Sequence, residues 1–348
     1  MERPIISIIM PVFNSGEYLN TAVYSILNQD SDDIELILVD DGSTDGSSQK
    51  CDDYAKKDKR VKVIHQKNGG ICAARNTALK IARGEYIGFS DHDDKFIPGV
   101  WSKCIQIIKE KHYPDMIKFG KRYTFINENN VEYRNIHMTL PNKQYNKEEI
   151  VKGYLTLRQQ NVFRFVWDGL YKNEIIKKNN ITFDTYFTRG GEDHDFCNTY
   201  SRYIKNLVTI EDEFYIHYLR KNFSTSSKKI ENANTLYYKV ESNRLYETLQ
   251  YINYDIKANK AIYWNQFFES CVLPVISYHL KNGTDIPTII KILQQFEDTA
   301  IMKADKRISL NKLTKQSQRI GFFTYCYLHK YFKILFFIIN LRYKFIKS

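Results

Sequence analysis

Gly84-Glu85-Tyr86-Ile87-Gly88-Phe89-Ser90-Asp91-His92-Asp93-Asp94 joins a short apolar segment to a dense acidic one. Tyr86 to Phe89 reads as a buried strand, closed by Gly84 on one side and by carboxylates on the other. Asp91, Asp93 and Asp94 crowd its C-terminal end and repel one another unless a positive charge lies between them. A divalent cation meets that need, because carboxylate oxygens suit Mg2+ or Mn2+ and substrate phosphates commonly complete the shell. Asp91 and Asp93 lie two apart, so they point the same way in extended chain. A solvated acidic turn fits the same residues, and the stretch alone leaves both readings open.

Upstream, Ile5 to Met10 is an apolar, β-branched run typical of a strand buried on both faces, and Pro11 ends it. Ser15 is placed to cap a helix that carries Leu19, Val23, Ile26 and Leu27 at helical spacing. Ile34 to Val39 is a second strand, followed by the turn residues Asp40-Asp41-Gly42-Ser43 and a helix to about Lys57. Val61 to Ile64 is a third strand. The turn Asn68-Gly69-Gly70 and a helix over Cys72 to Ala82 then lead to Tyr86–Phe89. Strand–helix alternation of this kind predicts a parallel sheet with crossover helices. Ligands of such sheets bind beyond the carboxyl ends of the strands, and Phe13-Asn14, Asp40-Asp41 and Asp91–Asp94 all fall on that rim. Neither GxGxxG nor GxxxxGK[ST] occurs there, which disfavours a dinucleotide dehydrogenase or a P-loop enzyme.

Downstream, the pattern predicts a helix over Val100–Glu110, a strand over Met116–Tyr123, a long loop or hairpin over 126–147 and a helix over Glu148–Leu157. Phe163, Phe165, Trp167 and Tyr171 form an aromatic stretch. Glu192 and Asp193 follow the Gly190-Gly191 pair at the start of a helix running to about Tyr203. One or two strands over 206–218 end the α/β pattern, Ser224–Lys229 is a polar break, and helical periodicity takes over from about 231.

The 348 residues carry a net charge of +11, unevenly spread. Residues 1–100 hold 12 basic and 16 acidic residues, a net of −4, whereas residues 303–348 hold 11 basic residues against Asp305 alone, a net of +10. That asymmetry favours a local anionic partner over a fold that binds nucleic acid throughout. Six cysteines without a CxxC pair read as free thiols in a reducing compartment. No leader pattern and no apolar run of transmembrane length is present, so a cytoplasmic protein is expected. The tail from Phe322 to Lys347 holds ten aromatic residues, and Lys330, Lys333, Asn340, Lys344 and Lys347 fall within one helical stripe. An aromatic face with a basic stripe suits the headgroup region of an anionic membrane. The alternative is a helix packed on the protein's own core with its lysines outward.

Taken in order, these motifs resemble the family 2 glycosyltransferases of the GT-A fold. The likeness rests on Pro11-Val12-Phe13-Asn14, Val39-Asp40-Asp41-Gly42-Ser43-Thr44-Asp45, Asn68-Gly69-Gly70 with Ala74-Arg75-Asn76, the DxD triplet Asp91-His92-Asp93, and Glu192-Asp193 about 100 residues later. It is dense over residues 5–100, looser over 160–220 and only general beyond 225. The resemblance implies an α/β GT-A nucleotide-diphospho-sugar transferase fold over residues 1–224, with a nucleotide-binding half over about 1–100 and an acceptor half over about 101–224. A helical region over 225–348 would follow, ending in the basic aromatic tail 320–348.

The implied activity is inverting transfer of a hexosyl or N-acetylhexosaminyl group from a UDP-sugar to a glycan or lipid-linked acceptor in bacterial surface polysaccharide synthesis. The enzyme would lie on the inner face of the plasma membrane. By the same resemblance, Pro11 and Phe13 flank the uracil and Asp41, with Asp40, hydrogen-bonds it. Arg75 faces the nucleotide and offsets the diphosphate charge. Asp93 binds Mn2+ or Mg2+, with Asp91 sharing the ion and lying nearer the ribose and donor sugar. Asp193 is the catalytic base, and Glu192 and Trp167 adjoin the acceptor, although Trp167 also fits a core position. His92 departs from the family, which more often has a small residue there. As the neighbour of two aspartates in extended chain, it should point away from the ion. A nucleotidyltransferase calls for a basic Gly-rich loop where this chain has Pro11–Glu17. A non-catalytic nucleotide-sugar-binding scaffold at the membrane has no evident use for Asp93 and Asp193.

Overall fold

The computed structural model describes residues 3–187, 190–220, 233–315 and 317–347, with backbone alone for 233–236 and 340–347. Two compact units result: Met1–Ile150 with Gln160–Lys229, and Val151–Gln159 with Ile230–Ser348. The boundary expected at 224 lies outside the described residues.

The first unit opens with β1 (Ile6–Val12), α1 (Tyr18–Leu27), β2 (Ile34–Asp40), α2 (Ser47–Lys57), β3 (Val61–His65), α3 (Ile71–Ile81) and β4 (Tyr86–Phe89). The strands pair in parallel in the order β3-β2-β1-β4. Every residue of β1, β2 and β4 is buried, because crossover helices cover both faces, and this is why those strands read as unbroken apolar runs. Next come β5 (Lys95–Phe96), α4 (Val100–Glu110), β6 (Met116–Ile126), β7 (Glu132–Met138), β8 (Lys143–Asn146), α5 (Lys147–Gln159), β9 (Gly169–Lys172), α6 (Asn173–Lys178), α7 (Glu192–Ser201) and β10 (Asn206–Arg220). Beyond β4 the order continues β9-β6-β10-β5, with β9 antiparallel to both neighbours and β10 parallel to β6. The region expected as a loop or hairpin is a hairpin, β7 running antiparallel to β6.

Two local expectations are corrected. Pro11 does not end β1, which runs on to Val12. Ile5 and Ile9 accept from Tyr86 and Ser90 of the β4 segment, so Pro11, two residues further, faces that same side after β4 has ended. Its missing N–H therefore costs no ladder bond. Ser15 does not cap α1: its N–H donates to Ser47 Oγ, Gly16 turns left-handed at φ 55°, and the helix begins at Tyr18.

At the opposite end of the sheet from these loops, the buried carboxylate of Glu35 on β2 accepts from Ser7 Oγ (2.6 Å) and from the Arg83 N–H (2.8 Å), and pairs with Lys62 and the Arg83 guanidinium. Ser7 Oγ in turn accepts from Gly84 N–H, where a side chain would come within 2.4 Å of the Ser7 nitrogen. Burial pushes the Glu35 carboxyl upward, but the hydrogen bonds from Lys62, Ser7 and Arg83 outweigh it and hold the group at about 2. The folded value lies below the unfolded one, so the stabilisation is present above the normal carboxylate range and is lost as pH falls through it. The depression corresponds to about 3 kcal/mol, lost between about pH 5 and pH 2. Urea unfolding across that range should show Glu35→Gln less stable than wild type at neutral pH and equal to it near pH 2. A constant difference at every pH would exclude this linkage.

The second unit is helical. Val151–Gln159 of α5 joins α8 (Ala233–Tyr251), α9 (Lys260–Phe267), a π-helical turn at Phe268–Val272, α10 (Leu273–Lys281), α11 (Ile286–Gln294), α12 (Leu310–Thr314), α13 (Gln318–Leu328) and α14 (Phe332–Lys347). Trp264, Phe267, Phe268 and Phe296 are fully buried in it, beside a buried Arg158–Glu241 pair at 2.6 Å. Among the described tail residues Phe323, Tyr327, Leu335, Phe336 and Ile339 are buried, Phe322, Tyr325 and Phe332 are half-buried, and Tyr331, Ile334 and Phe337 are exposed. Among the described residues no helix is long and apolar enough to cross a membrane.

Candidate active site

The loops at the carboxyl ends of β1 and β2 are tied together. Asn14, in the left-handed region at φ 48°, donates its N–H to Ser43 Oγ (3.1 Å) and accepts the Thr44 N–H on Oδ1 (2.8 Å). Phe13, just before it, remains 45% exposed and offers a ring to a ligand. Pro11 is buried inside β1, so it sets the course of the chain and presents no surface of its own.

Asp40 is committed to its own surroundings. Oδ1 accepts the Ser43 N–H and Oδ2 meets His65 Nδ1 at 3.0 Å, so part of its acceptor capacity is spent within the loop. Asp41, also buried, accepts from Gln66 Nε2 (2.7 Å) and Gly69 N–H (2.9 Å) on Oδ1 and from Gly70 N–H (2.8 Å) on Oδ2. A carboxylate has about four acceptor positions, so Asp41 keeps one for a ring N–H. It also fixes Gly70, the residue that caps α3 at φ 84°.

One turn into α3 stands Arg75, 1% exposed. Nη1 donates to Asp193 Oδ1 (2.7 Å) and Glu192 Oε1 (3.3 Å), and Nη2 donates to Asp91 Oδ1 (3.1 Å). The guanidinium lies 5.0 Å from the Phe183 ring centroid. Arg75 was expected to face a diphosphate. The structure instead makes it a buried hub, its two terminal nitrogens held by Asp91 on one side and by the adjacent Glu192 and Asp193, more than 100 residues away, on the other. Glu192 and Asp193 reach it from the first turn of α7, which starts after two glycines at φ 101° and 96°, backbone that other residues rarely adopt. Burial first, and then the neighbouring Asp193, pushes the Glu192 carboxyl upward, and its Oε2 has no partner among the described residues. Among the described residues, Asp193 Oδ2 takes only a long bond from Val166 N–H at 3.4 Å.

The acidic run after β4 divides three ways. Asp91 goes to Arg75. Asp93 pairs with Arg220 Nη1 at 3.1 Å, at the end of β10. Asp94 accepts from Tyr218 N–H (2.9 Å) and from His217 Nδ1 (2.7 Å). Single ligand atoms of Asp91, Asp94 and His217 lie within 4.8 Å of one another, the one such group among the described residues. The expectation that Asp93 leads the metal set is therefore modified: Asp91 converges with Asp94 and His217, and Asp93 stands beside them against Arg220.

Burial lowers the affinity of the His217 imidazole for its proton, yet the charge and hydrogen bond of Asp94 outweigh this and raise it to about 9. Burial, followed by the charges of neighbouring aspartates, pushes Asp93 upward, and burial pushes Asp91 upward against the pull of Arg75. The carboxylates of the cluster repel one another and their oxygens suit Mn2+ or Mg2+, whereas His217, which gives its proton to Asp94, joins such a donor set only on losing that proton. His92 is outside the converging group. Its Nδ1 is buried without a partner, and burial lowers it to about 4.

Trp167 is corrected as an acceptor platform. It is 3% exposed and stacked against Phe165 (4.8 Å), Tyr215 (4.6 Å) and His217 (5.3 Å), so it offers no open face to a sugar. Its neighbour Asp168 takes both buried ammoniums of Lys118 and Lys121, and Lys121 also lies over the Phe165 and Trp167 rings. This wall holds His217 in place. His217, Arg220 and Asp168 were not singled out from the sequence. They lie in or beside strands whose pairing partners are more than 40 residues away, and no spacing rule marks them.

A family profile described as "Glycosyl transferase family 2" matches residues 7–207. The glycosyltransferase EpsJ of Bacillus subtilis (strain 168) is 33% identical over 215 residues, 62% of this chain and 61% of its own length. EpsH of the same organism is 33% identical over 183 residues, and this chain spans 51% of it. Glycosyltransferase GlyG of Streptococcus pneumoniae serotype 4 is 31% identical over 218 residues, 61% of this chain and 70% of GlyG. In backbone, the crystal structure of S. aureus TarS 1-349 in complex with UDP-GlcNAc matches with a TM-score of 0.69 at 19% identity, covering 95% of this chain and 90% of that one.

Proposed function

We propose that this chain, which belongs to glycosyl transferase family 2, transfers a sugar with inversion from a UDP-sugar to a hydroxyl of a bacterial surface glycan or its lipid-linked precursor. The observation that carries the reading is the Arg75 hub, which brings Asp91 from the DxD turn and Asp193 from α7 to one guanidinium. Donor and acceptor carboxylates that are 102 positions apart in the chain thereby share one site.

The exposed Phe13 ring suits stacking on the base, and the remaining acceptor position of Asp41 suits a ring N–H. Asp91, Asp94 and His217, with Asp93 beside them, would hold Mn2+ or Mg2+. Bound there, the cation would offset the negative charge of the diphosphate leaving group. Asp193 accepts the proton of the acceptor hydroxyl on Oδ2, while Arg75 fixes Oδ1. The hydroxyl oxygen forms the new bond to the anomeric carbon as the bond to UDP breaks, so no covalent intermediate is required. The exposed Tyr331, Ile334 and Phe337, next to Lys330 and Lys333, suit attachment to an anionic lipid surface.

The test is UDP release from a panel of nucleotide-sugars. Turnover of at least one UDP-sugar is expected, abolished by chelation and restored by Mn2+ or Mg2+. Full turnover after exhaustive chelation would exclude the cation from the site, and no release from any UDP-sugar would overturn the donor class.

A further inference from the structure

The helical unit carries an open surface hollow of about 600 Å³ bounded by the turn before α9, the start of α9, and the segment through α12. Five of its lining residues are cationic: Lys257, Lys260, Arg307, Lys312 and Lys315. No acidic side chain and no aromatic ring lines it. Lys260 and Arg307 share one carboxylate, that of Asp305, at 2.6 and 3.0 Å. Lys257, Lys312 and Lys315 have no carboxylate partner among the described residues. The positive charge of the hollow is therefore largely uncompensated within the protein.

The walls are held in place. Trp264 of α9, fully buried, donates its ring N–H to the Asp305 carbonyl at 3.2 Å. Asn265 Nδ2 donates to the Leu313 carbonyl of α12 at 2.9 Å. A side chain at Gly321 would come within 2.4 Å of that same Leu313 carbonyl, so α13 backs α12 at close approach. The first turn of α9 carries no acidic residue and adds the positive end of its backbone dipoles to the same hollow.

From these features we infer that the hollow is a binding site for the phosphate groups of an anionic glycan chain. Lys257, Lys312 and Lys315 are placed to act as point charges for phosphate, whereas the Arg307 fork is engaged by Asp305 through Nε and Nη2. A lipid bilayer is disfavoured because Ile308 is the one large apolar side chain among the lining residues and is half-buried, in contrast to the exposed Tyr331, Ile334 and Phe337 elsewhere on this unit. Single-stranded nucleic acid is disfavoured because no ring is present for a base to stack on. Naming that chain as the acceptor rests on the glycosyltransferase reading, but the binding itself does not.

The experiment is calorimetric titration of the full chain, without donor, against a short poly(glycerol phosphate). Inorganic phosphate, a neutral oligosaccharide of equal length, a uronic-acid oligosaccharide and phosphatidylglycerol vesicles are the other arms. The phosphate polymer should bind in a salt-sensitive way, and the neutral chain should not. Reversing two charges in Lys312→Glu/Lys315→Glu should weaken binding about tenfold or more, and Lys312→Arg/Lys315→Arg should retain it. UDP release without acceptor should be unchanged in both variants, which separates failure of this site from failure of the catalytic assignment. Four results would overturn the inference: no polymer binding, equal affinity in the glutamate variant, equal affinity for the uronic-acid chain, or binding to vesicles alone.

Discussion

Asp193→Asn is expected to bind a UDP-sugar as wild type does and to lose transfer by about 10²–10⁴-fold, the usual contribution of a positioned general base. The asymmetry of the site dictates this. Asp193 Oδ1 is taken by Arg75 at 2.7 Å, and among the described residues Oδ2 has only the long contact with Val166 N–H. An amide in this place must turn its oxygen to the guanidinium, since an NH2 group there would face a donor. Its nitrogen then occupies the Oδ2 position, where a proton acceptor is needed and a donor now stands. Size and the Arg75 contact survive, so the fold and the donor site on the sheet rim should be undisturbed. Donor affinity by calorimetry and transfer of radiolabelled sugar test the two halves separately. Undiminished transfer would remove Asp193 from the role of base, and equal losses in binding and transfer would make it a donor-binding residue instead.

Strands β1, β2 and β4 were readable because each is buried on both faces, and a run such as Ile34–Val39 has few other places to go. Helix α4 was placed at Val100–Glu110 in advance, and its buried positions Trp101, Cys104, Ile105 and Ile108 show why: they repeat at helical spacing. The rim residues were legible for the same reason, since parallel strands of known direction put Phe13, Asp41 and Asp91 at one end.

The sequence could not give the state of each charge. Arg75 reads identically whether it faces solvent, a diphosphate or three carboxylates, because its partners lie 16 to 118 positions away. His217 looked featureless until β10, through its pairing with β5 and its contacts to the DxD turn, brought it to Asp94. Trp167 was ambiguous because a ring that stacks on a sugar and a ring that stacks on Tyr215 share one residue type. Its burial is decided by strands 116–126 and 206–220, not by its neighbours in sequence.

Arg75→Met should produce the largest loss of stability of any substitution at this site. The side chain it removes is 1% exposed and is the shared partner of Asp91, Glu192 and Asp193. Removing one partner of a buried ion pair typically costs about 3–5 kcal/mol, because the remaining charge is left without compensation. Here several carboxylates face that condition together, and Glu192 already has one oxygen without a partner among the described residues. The deficit has a defined pH dependence. Loss of the guanidinium raises the folded-state proton affinity of Asp91 and Glu192 further, so the variant binds protons more readily when folded than when unfolded. Its handicap relative to wild type should shrink as pH falls from neutrality toward the carboxylate range. Arg75→Lys keeps one positive charge but loses the planar fork that spans the carboxylates, so its stability should lie between the two while transfer remains impaired. Urea unfolding of the donor-free protein at about pH 7 and pH 5, paired with transfer assays, reads both effects. A methionine variant of wild-type stability but weakened donor binding would reverse the assignment, returning Arg75 to a diphosphate-facing role and leaving Asp193 to be positioned by something else.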